Sequence, residues 1–171
     1  MLIDKATFVL TFVAALGSGL IAGVFFIFSV AIIWAFERLP ASEGIAAMQS
    51  IIIVIVNPIF LGVFIGIGVV CFVLAIRSLG RWEQPGSAWL LAGCLLYLIG
   101  SIGVTMVFNV PMNLRLAAVD PASSAGQEIW AHFLTNWTVW NHVRMIASLA
   151  AAASFMAALI HGDRSDGALR R

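Results

Sequence analysis

The residues best equipped for chemistry lie in the motif WNHVR at positions 140–144. Arg144 offers five N–H donors and a permanent positive charge, and Asn141 lies about one helical turn before it, within reach as an acceptor. His142 is the conventional base nearest to this pair. A cation among neutral amides favours an enolate or a phenolate over a cationic guest. We therefore predict Arg144, Asn141 and His142 as the catalytic group of a site.

Other polar and aromatic residues could hold a guest beside this group. Asn109 and Asn113 flank Pro111 in the motif NVPMN, and Asn57 directly precedes Pro58, so that each proline indicates a kink with an amide next to it. Tryptophans on the segment of Arg144 offer flat apolar faces for stacking. The predicted substrate-binding residues are Asn57, Asn109, Asn113, Trp137 and Trp140.

Two purely structural alternatives stay open for these residues. An arginine in an apolar segment can extend its side chain to the lipid headgroups and contribute only packing. The NVPMN motif can be a proline-terminated helix end whose asparagines cap the backbone.

A metal site is the third chemistry to consider. Glu128 and His132 have the i, i+4 spacing that can present two ligands to one ion. A His–carboxylate pair at the start of a helix is more often a solvated surface pair. We therefore predict no metal site, with Glu128 and His132 as the candidate ligands if one exists, and the sequence names no cofactor.

The elements that carry these residues must lie in lipid. The chain is 62% hydrophobic and 10% charged, with a mean hydropathy of +1.06, whereas soluble domains are about 25% charged. A net charge of +1 without a basic cluster excludes a nucleic-acid partner. Cys71 and Cys94 lie in apolar segments and are expected to be reduced, packed thiols.

We predict an all-α fold, a four-helix membrane bundle that forms a single domain with membrane lipid as its surroundings. Each of four apolar segments exceeds the roughly 20 residues that a bilayer needs. A loop predicted at residues 111–129 lies outside the membrane and a tail at 162–171 lies in the cytoplasm. The predicted spans are about 6–36, 45–76, 85–110 and 130–161.

The polar residues of these spans share one depth. With a rise of 1.5 Å per residue from the cytoplasmic flank, Asn57, Asn109 and Arg144 lie at ~28, ~30 and ~25 Å. This common height predicts a polar pocket in the outer half of the bundle. Near the span ends, six basic residues lie on the side that holds both termini and two on the opposite side. We therefore expect the N- and C-termini to be cytoplasmic and the protein to lie in the plasma (inner) membrane.

Several motifs together resemble one family. They are GSGLIAGVFFIFS at 17–29, ERLPASEGIAAMQ at 37–49, the Asn57-Pro58 pair, NVPMN at 109–113 and the tryptophan-rich stretch at 130–144. Combined, they resemble the anthrone oxygenase-like family of small four-span membrane proteins. The resemblance implies a four-helix bundle, and for some members the oxidation of anthrones to anthraquinones. It brings no established metal or flavin motif.

Two functional classes follow. The first is a membrane oxygenase that oxidises or binds a flat, hydrophobic, anthrone- or quinone-like compound reaching it from the membrane, in which Arg144 stabilises an enolate. The second is a non-enzymatic membrane protein: a small-molecule binder, a transport accessory or an assembly partner. A base within reach of the pocket separates the two classes, and the sequence leaves the oligomeric state open.

Overall fold

The computed structural model describes the backbone of residues 4–169 and the side chains of residues 4–162. This part of the chain contains helices and no strand. Four helices are long and apolar enough to cross a membrane, which confirms the predicted all-α membrane bundle. In chain order the helices are α1 (Lys5–Glu37), α2 (Ala41–Ile55), α3 (Pro58–Leu79), α4 (Ser87–Ala117) and α5 (Ser124–Leu169).

The predicted second span, 45–76, is two helices rather than one kinked helix. Its break lies at Val56 and Asn57, and Asn57 satisfies the backbone on both sides of it. Its Oδ1 accepts the N–H groups of Ile59 and Phe60 at 3.0 Å each, and its Nδ2 donates to Val54 O at 3.0 Å. Of the two helices, only α3 is long enough to span a bilayer, because the 15 residues of α2 reach only about 22 Å.

The third span extends beyond its predicted end at residue 110. Pro111 does not terminate α4, which continues to Ala117, and the loop before α5 is shorter than the predicted 111–129. The reason is a π-helical segment, Thr105–Asn109, after which the N–H of Val110 donates to Thr105 O. A π turn replaces the regular α-helical hydrogen bonds just before Pro111, which has no N–H to donate. The helix can therefore continue past the proline. Likewise α5 begins at Ser124, before the predicted 130, and its backbone remains helical through Leu169, so that only residues 170–171 of the predicted tail lie outside the described residues.

We call the end of the bundle that holds the start of α1 the inner end, and the opposite one the outer end. Toward the inner end, α1, α3, α4 and α5 enclose an apolar core. Phe155 packs against Gly93, where an added Cβ would lie 2.7 Å from the phenyl ring. Cys71 and Cys94 are buried in this core as free thiols, as predicted.

Asp4 links α1 to the end of α3 at the inner end. Its carboxylate forms ion pairs with Arg77, at 2.9 Å, and with Arg81. Its pKa lies below its usual range, chiefly because it accepts the backbone N–H of Thr7. Hydrogen bonds from the Thr7 hydroxyl, Arg81 and Arg77 lower the pKa further.

At the outer end, α2 lies across the ends of α4 and α5. Gln49 Nε2 donates to two carbonyl oxygens at the end of α4, Leu116 O at 2.8 Å and Val119 O at 2.9 Å. Trp130 of α5 packs against Gly44, where an added Cβ would lie 3.0 Å from the indole. The short helix therefore covers the outer end of the bundle.

Candidate functional site

Arg144 lies inside the bundle, with 6% of its surface exposed. Its Nε and Nη2 both donate to Asn141 Oδ1, at 3.2 and 2.8 Å, and Nη1 donates to Thr105 Oγ1 at 3.3 Å. No ion pair to Arg144 occurs in the described part of the chain. Arg144 is thus held by neutral groups, and the prediction that an asparagine would bind its guanidinium is confirmed.

Two aromatic rings cover the guanidinium. Its Cζ lies 4.2 Å from the centroid of the Phe25 ring and 5.0 Å from that of Trp137. Both distances fall within the range of cation–π attraction, which is stronger when the cation is desolvated. The rings therefore partly replace the counter-ion that Arg144 lacks.

Asn141 connects Arg144 to α1. While its Oδ1 accepts from the guanidinium, its Nδ2 donates to Ser29 Oγ at 2.7 Å and to Phe25 O at 2.8 Å. Ser29 lies in a π-helical segment, Phe28–Ile32. Both ends of a fully buried amide are therefore occupied, and its rotation is fixed.

Trp137 is fixed by the asparagines of the NVPMN motif. Its Nε1 donates to Asn113 Oδ1 at 2.8 Å, and its backbone carbonyl accepts from Asn109 Nδ2 at 3.2 Å. Asn109 is fully buried, and its Oδ1 accepts no hydrogen bond from any of the described residues. These asparagines are neither solvent-exposed caps nor the end of a helix.

A cavity of about 150 Å³ lies beside Arg144. Its volume is about ten times the 10–15 Å³ that one water needs. All five helices contribute to its walls, which are mainly aliphatic and aromatic. The polar lining residues are Thr105, Asn113 and Arg144, with Trp137 beside them; the apolar ones include Phe25, Phe28, Met48, Ile52, Phe60, Phe64 and Val110.

Of the eight predicted site residues, Arg144, Asn113 and Trp137 line this cavity and five do not: Asn57, Asn109, Trp140, Asn141 and His142. Asn109 and Asn141 are buried beside it, where they bind Trp137 O and the Arg144 guanidinium. His142 is half-buried, and its Nδ1 lies 2.6 Å from Thr138 O of its own helix. Trp140 stacks on Phe108 with ring centroids 3.5 Å apart. Asn57 caps the α2–α3 break, as described above. Position in the sequence predicts the height of a residue along the bundle. It does not predict whether its side chain faces the cavity.

The metal-ligand candidates lie elsewhere. Glu128 and His132 are exposed and line an open groove at the outer end together with Arg115 and Asn136. Within the described residues, no group of three or more His, Cys, Asp or Glu side chains could hold a metal ion.

Two residues that contact the Arg144 guanidinium were not predicted from the sequence, Thr105 and Phe25. Thr105 could have been found, because it lies four residues before Asn109 and therefore on the same helix face. Phe25 could not, because nothing distinguishes it from the other phenylalanines of α1 until its contact with Arg144 is known.

Comparison with known proteins gives one match. Residues 56–154 match the sequence model of the family described as anthrone oxygenase. The match covers more than half of the 171 residues and includes α3, α4 and Arg144 with its asparagines. No curated protein and no solved structure matches the chain. In agreement with its motifs, the chain belongs to the anthrone oxygenase family.

Proposed function

We propose that this protein is a membrane oxygenase that binds a small, hydrophobic, anthrone-like compound in the cavity beside Arg144 and oxidises it. The observation that carries the proposal is a buried arginine that faces an apolar cavity and has no carboxylate partner among the residues whose side chains the structure describes. A buried cation is stabilised by an anion that enters the same low-dielectric space. An enolate is such an anion on an otherwise apolar molecule.

The guanidinium keeps donors for this guest. Three of its five N–H groups donate to Asn141 and Thr105, and the other two have no acceptor among the described residues. Asn141 is itself fixed through Ser29, so the guanidinium is held in place before a guest arrives. Donors fixed in advance stabilise developing charge more than donors that must reorganise.

The chemistry requires ionisation and oxygen. Anthrone, C14H10O, loses a proton from its CH2 group to form an enolate, which reacts with O2 to give anthraquinone, C14H8O2, and water. Arg144 stabilises the enolate oxygen and so lowers the cost of that ionisation. Among the described residues, no histidine or carboxylate lines the cavity, which is the arrangement expected of the non-enzymatic class. The oxygenase that we propose therefore transfers the proton to water.

The test is aerobic turnover of anthrone by the detergent-purified protein, followed by oxygen consumption and anthraquinone formation. We expect the native chain to exceed the spontaneous rate, and Arg144→Gln to lose about 100-fold of the excess, as the loss of an oxyanion donor does. Arg115→Gln, which changes an exposed arginine of the outer groove, is the matched control and should keep full activity.

Two outcomes would contradict the oxygenase. If the native chain and Arg144→Gln both follow the spontaneous rate and neither binds anthrone, the proposal is wrong. If the native chain binds anthrone but does not turn it over, the protein is a small-molecule binder.

A further inference from the structure

Helices α3 and α4 close against each other in their middle and separate toward the outer end. At Gly68 an added Cβ would lie 2.5 Å from Ile102 Cδ1, so the two helices touch there without room for a side chain on α3. Contact between them is maintained along residues 87–103 of α4 and falls away beyond Gly103. The pair therefore forms a wedge that widens toward the outer end.

The cavity beside Arg144 reaches the surface in this wedge. Leu61 of α3 and Met106 of α4 both line the cavity, yet they are 38% and 50% exposed. Val56, at the α2–α3 break, also lines it and is 62% exposed. We call these three residues the mouth. Lining residues deeper inside, such as Phe25 and Phe64, are buried.

The mouth is apolar and lies on the flank of the bundle rather than at its end. Leu61 and Met106 belong to two helices long enough to span a membrane, so we expect their exposed surfaces to face hydrocarbon. On the outer side the cavity is covered by α2 through Met48 and Ile52, and α2 is fixed to α4 by Gln49. The backbone break beside the mouth is satisfied by Asn57, so it can border lipid without a free donor or acceptor.

We propose that the mouth is a lateral portal, through which an apolar aromatic compound dissolved in the bilayer passes between α3 and α4 into the cavity. The inference rests on the proposed function only in taking this cavity as the binding site. It adds the route and the residues that border it. A compound that follows this route never crosses the polar outer end.

The experiment uses 3-trifluoromethyl-3-phenyldiazirine, a small apolar aromatic probe, added to the full-length protein in lipid bilayers. On illumination the diazirine loses N2, and the resulting carbene inserts into a C–H bond of any side chain that it touches. Illumination directly after mixing records which residues the probe has reached, and mass spectrometry of peptides locates the labels. The method requires neither turnover nor tight binding.

The test variant is Leu61→Trp with Met106→Trp, which narrows the mouth from both helices. The matched control is Val69→Trp with Val107→Trp, which places the same two indoles on exposed positions of α3 and α4 that do not line the cavity. Phe72, exposed on α3, reports on probe in the lipid, and Met48, a lining residue that is only 2% exposed, reports on probe in the cavity.

We expect label on Met48 and Phe72 in the native chain, a several-fold loss on Met48 alone in the test variant, and no change in the control. Equal label on Met48 in all three proteins would overturn the portal, because the probe would then use another route. Label on Phe72 without label on Met48 in the native chain would also overturn it. A labelled Met48 in a protein that does not oxidise anthrone would leave the portal intact and contradict only the oxygenase.

Discussion

At the scale of single residues, the site depends on the stabilisation of one buried cation, the Arg144 guanidinium, by neutral side chains. An arginine in hydrocarbon costs about 2.5–3.5 kcal/mol or more. Here Asn141 accepts twice from it, Thr105 accepts once, and Phe25 and Trp137 cover its faces. A carboxylate would hold the arginine more strongly but would also neutralise it. Neutral partners keep its charge available to a guest.

The same arrangement predicts that Asn141 supports the fold as well as the site. Asn141→Ala removes an acceptor from a buried guanidinium and a donor from Ser29, so we expect a loss of about 1–3 kcal/mol in unfolding free energy. Thermal unfolding in detergent measures it. Asn136→Ala, an exposed position on the same helix, is the control and should be nearly neutral. Equal melting temperatures for the two variants would refute this role.

At the scale of elements, two prolines have opposite effects on their helices. Pro58 follows a complete break, because Asn57 caps both helix ends there. Pro111 lies inside a continuous helix, because the hydrogen-bond pattern of the preceding π-helical segment accommodates a residue without an N–H. Both motifs read as an asparagine beside a proline, so local sequence predicted a disturbance at each site but could not say which kind would form.

The cap at the α2–α3 break can be tested directly. Asn57→Ala should destabilise the protein by about 1 kcal/mol, the usual value for a lost N-cap. Asn57→Ser keeps a neutral side-chain oxygen that can accept from Ile59 and Phe60 but loses the amide donor to Val54 O, so its effect should be smaller. Chemical unfolding in mixed micelles compares the two. An Asn57→Ser variant less stable than Asn57→Ala would contradict the capping role.

At the scale of the whole molecule, the orientation in the membrane is still a prediction. We expect the inner end, with Arg77 and Arg81, to lie in the cytoplasm. An impermeant thiol reagent should therefore label Ser124→Cys in intact cells, but Glu83→Cys only after permeabilisation. Both positions are exposed, and the native thiols Cys71 and Cys94 are buried. The reverse labelling pattern would show that the termini are outside.

The sequence alone determined the class of the molecule. Too few charges to cover a water-facing surface and four long apolar segments leave only a membrane helix bundle, since the bilayer admits no unpaired backbone. The sequence also predicts a similar depth for Asn57, Asn109 and Arg144, because the rise per residue of a helix is constant.

Only the tertiary structure decided which of these residues meet. The face that a residue presents depends on helix rotation, and rotation is set by packing between helices such as α1 and α5, together with local π turns that shift the register. Packing and register therefore placed Arg144 and Asn113 at the cavity but His142 and Trp140 away from it. Asn141 lies on the same helix as Arg144, and its spacing predicts the contact. Phe25 of α1 and Thr105 of α4 are distant in sequence, so their contacts with Arg144 have no local signal.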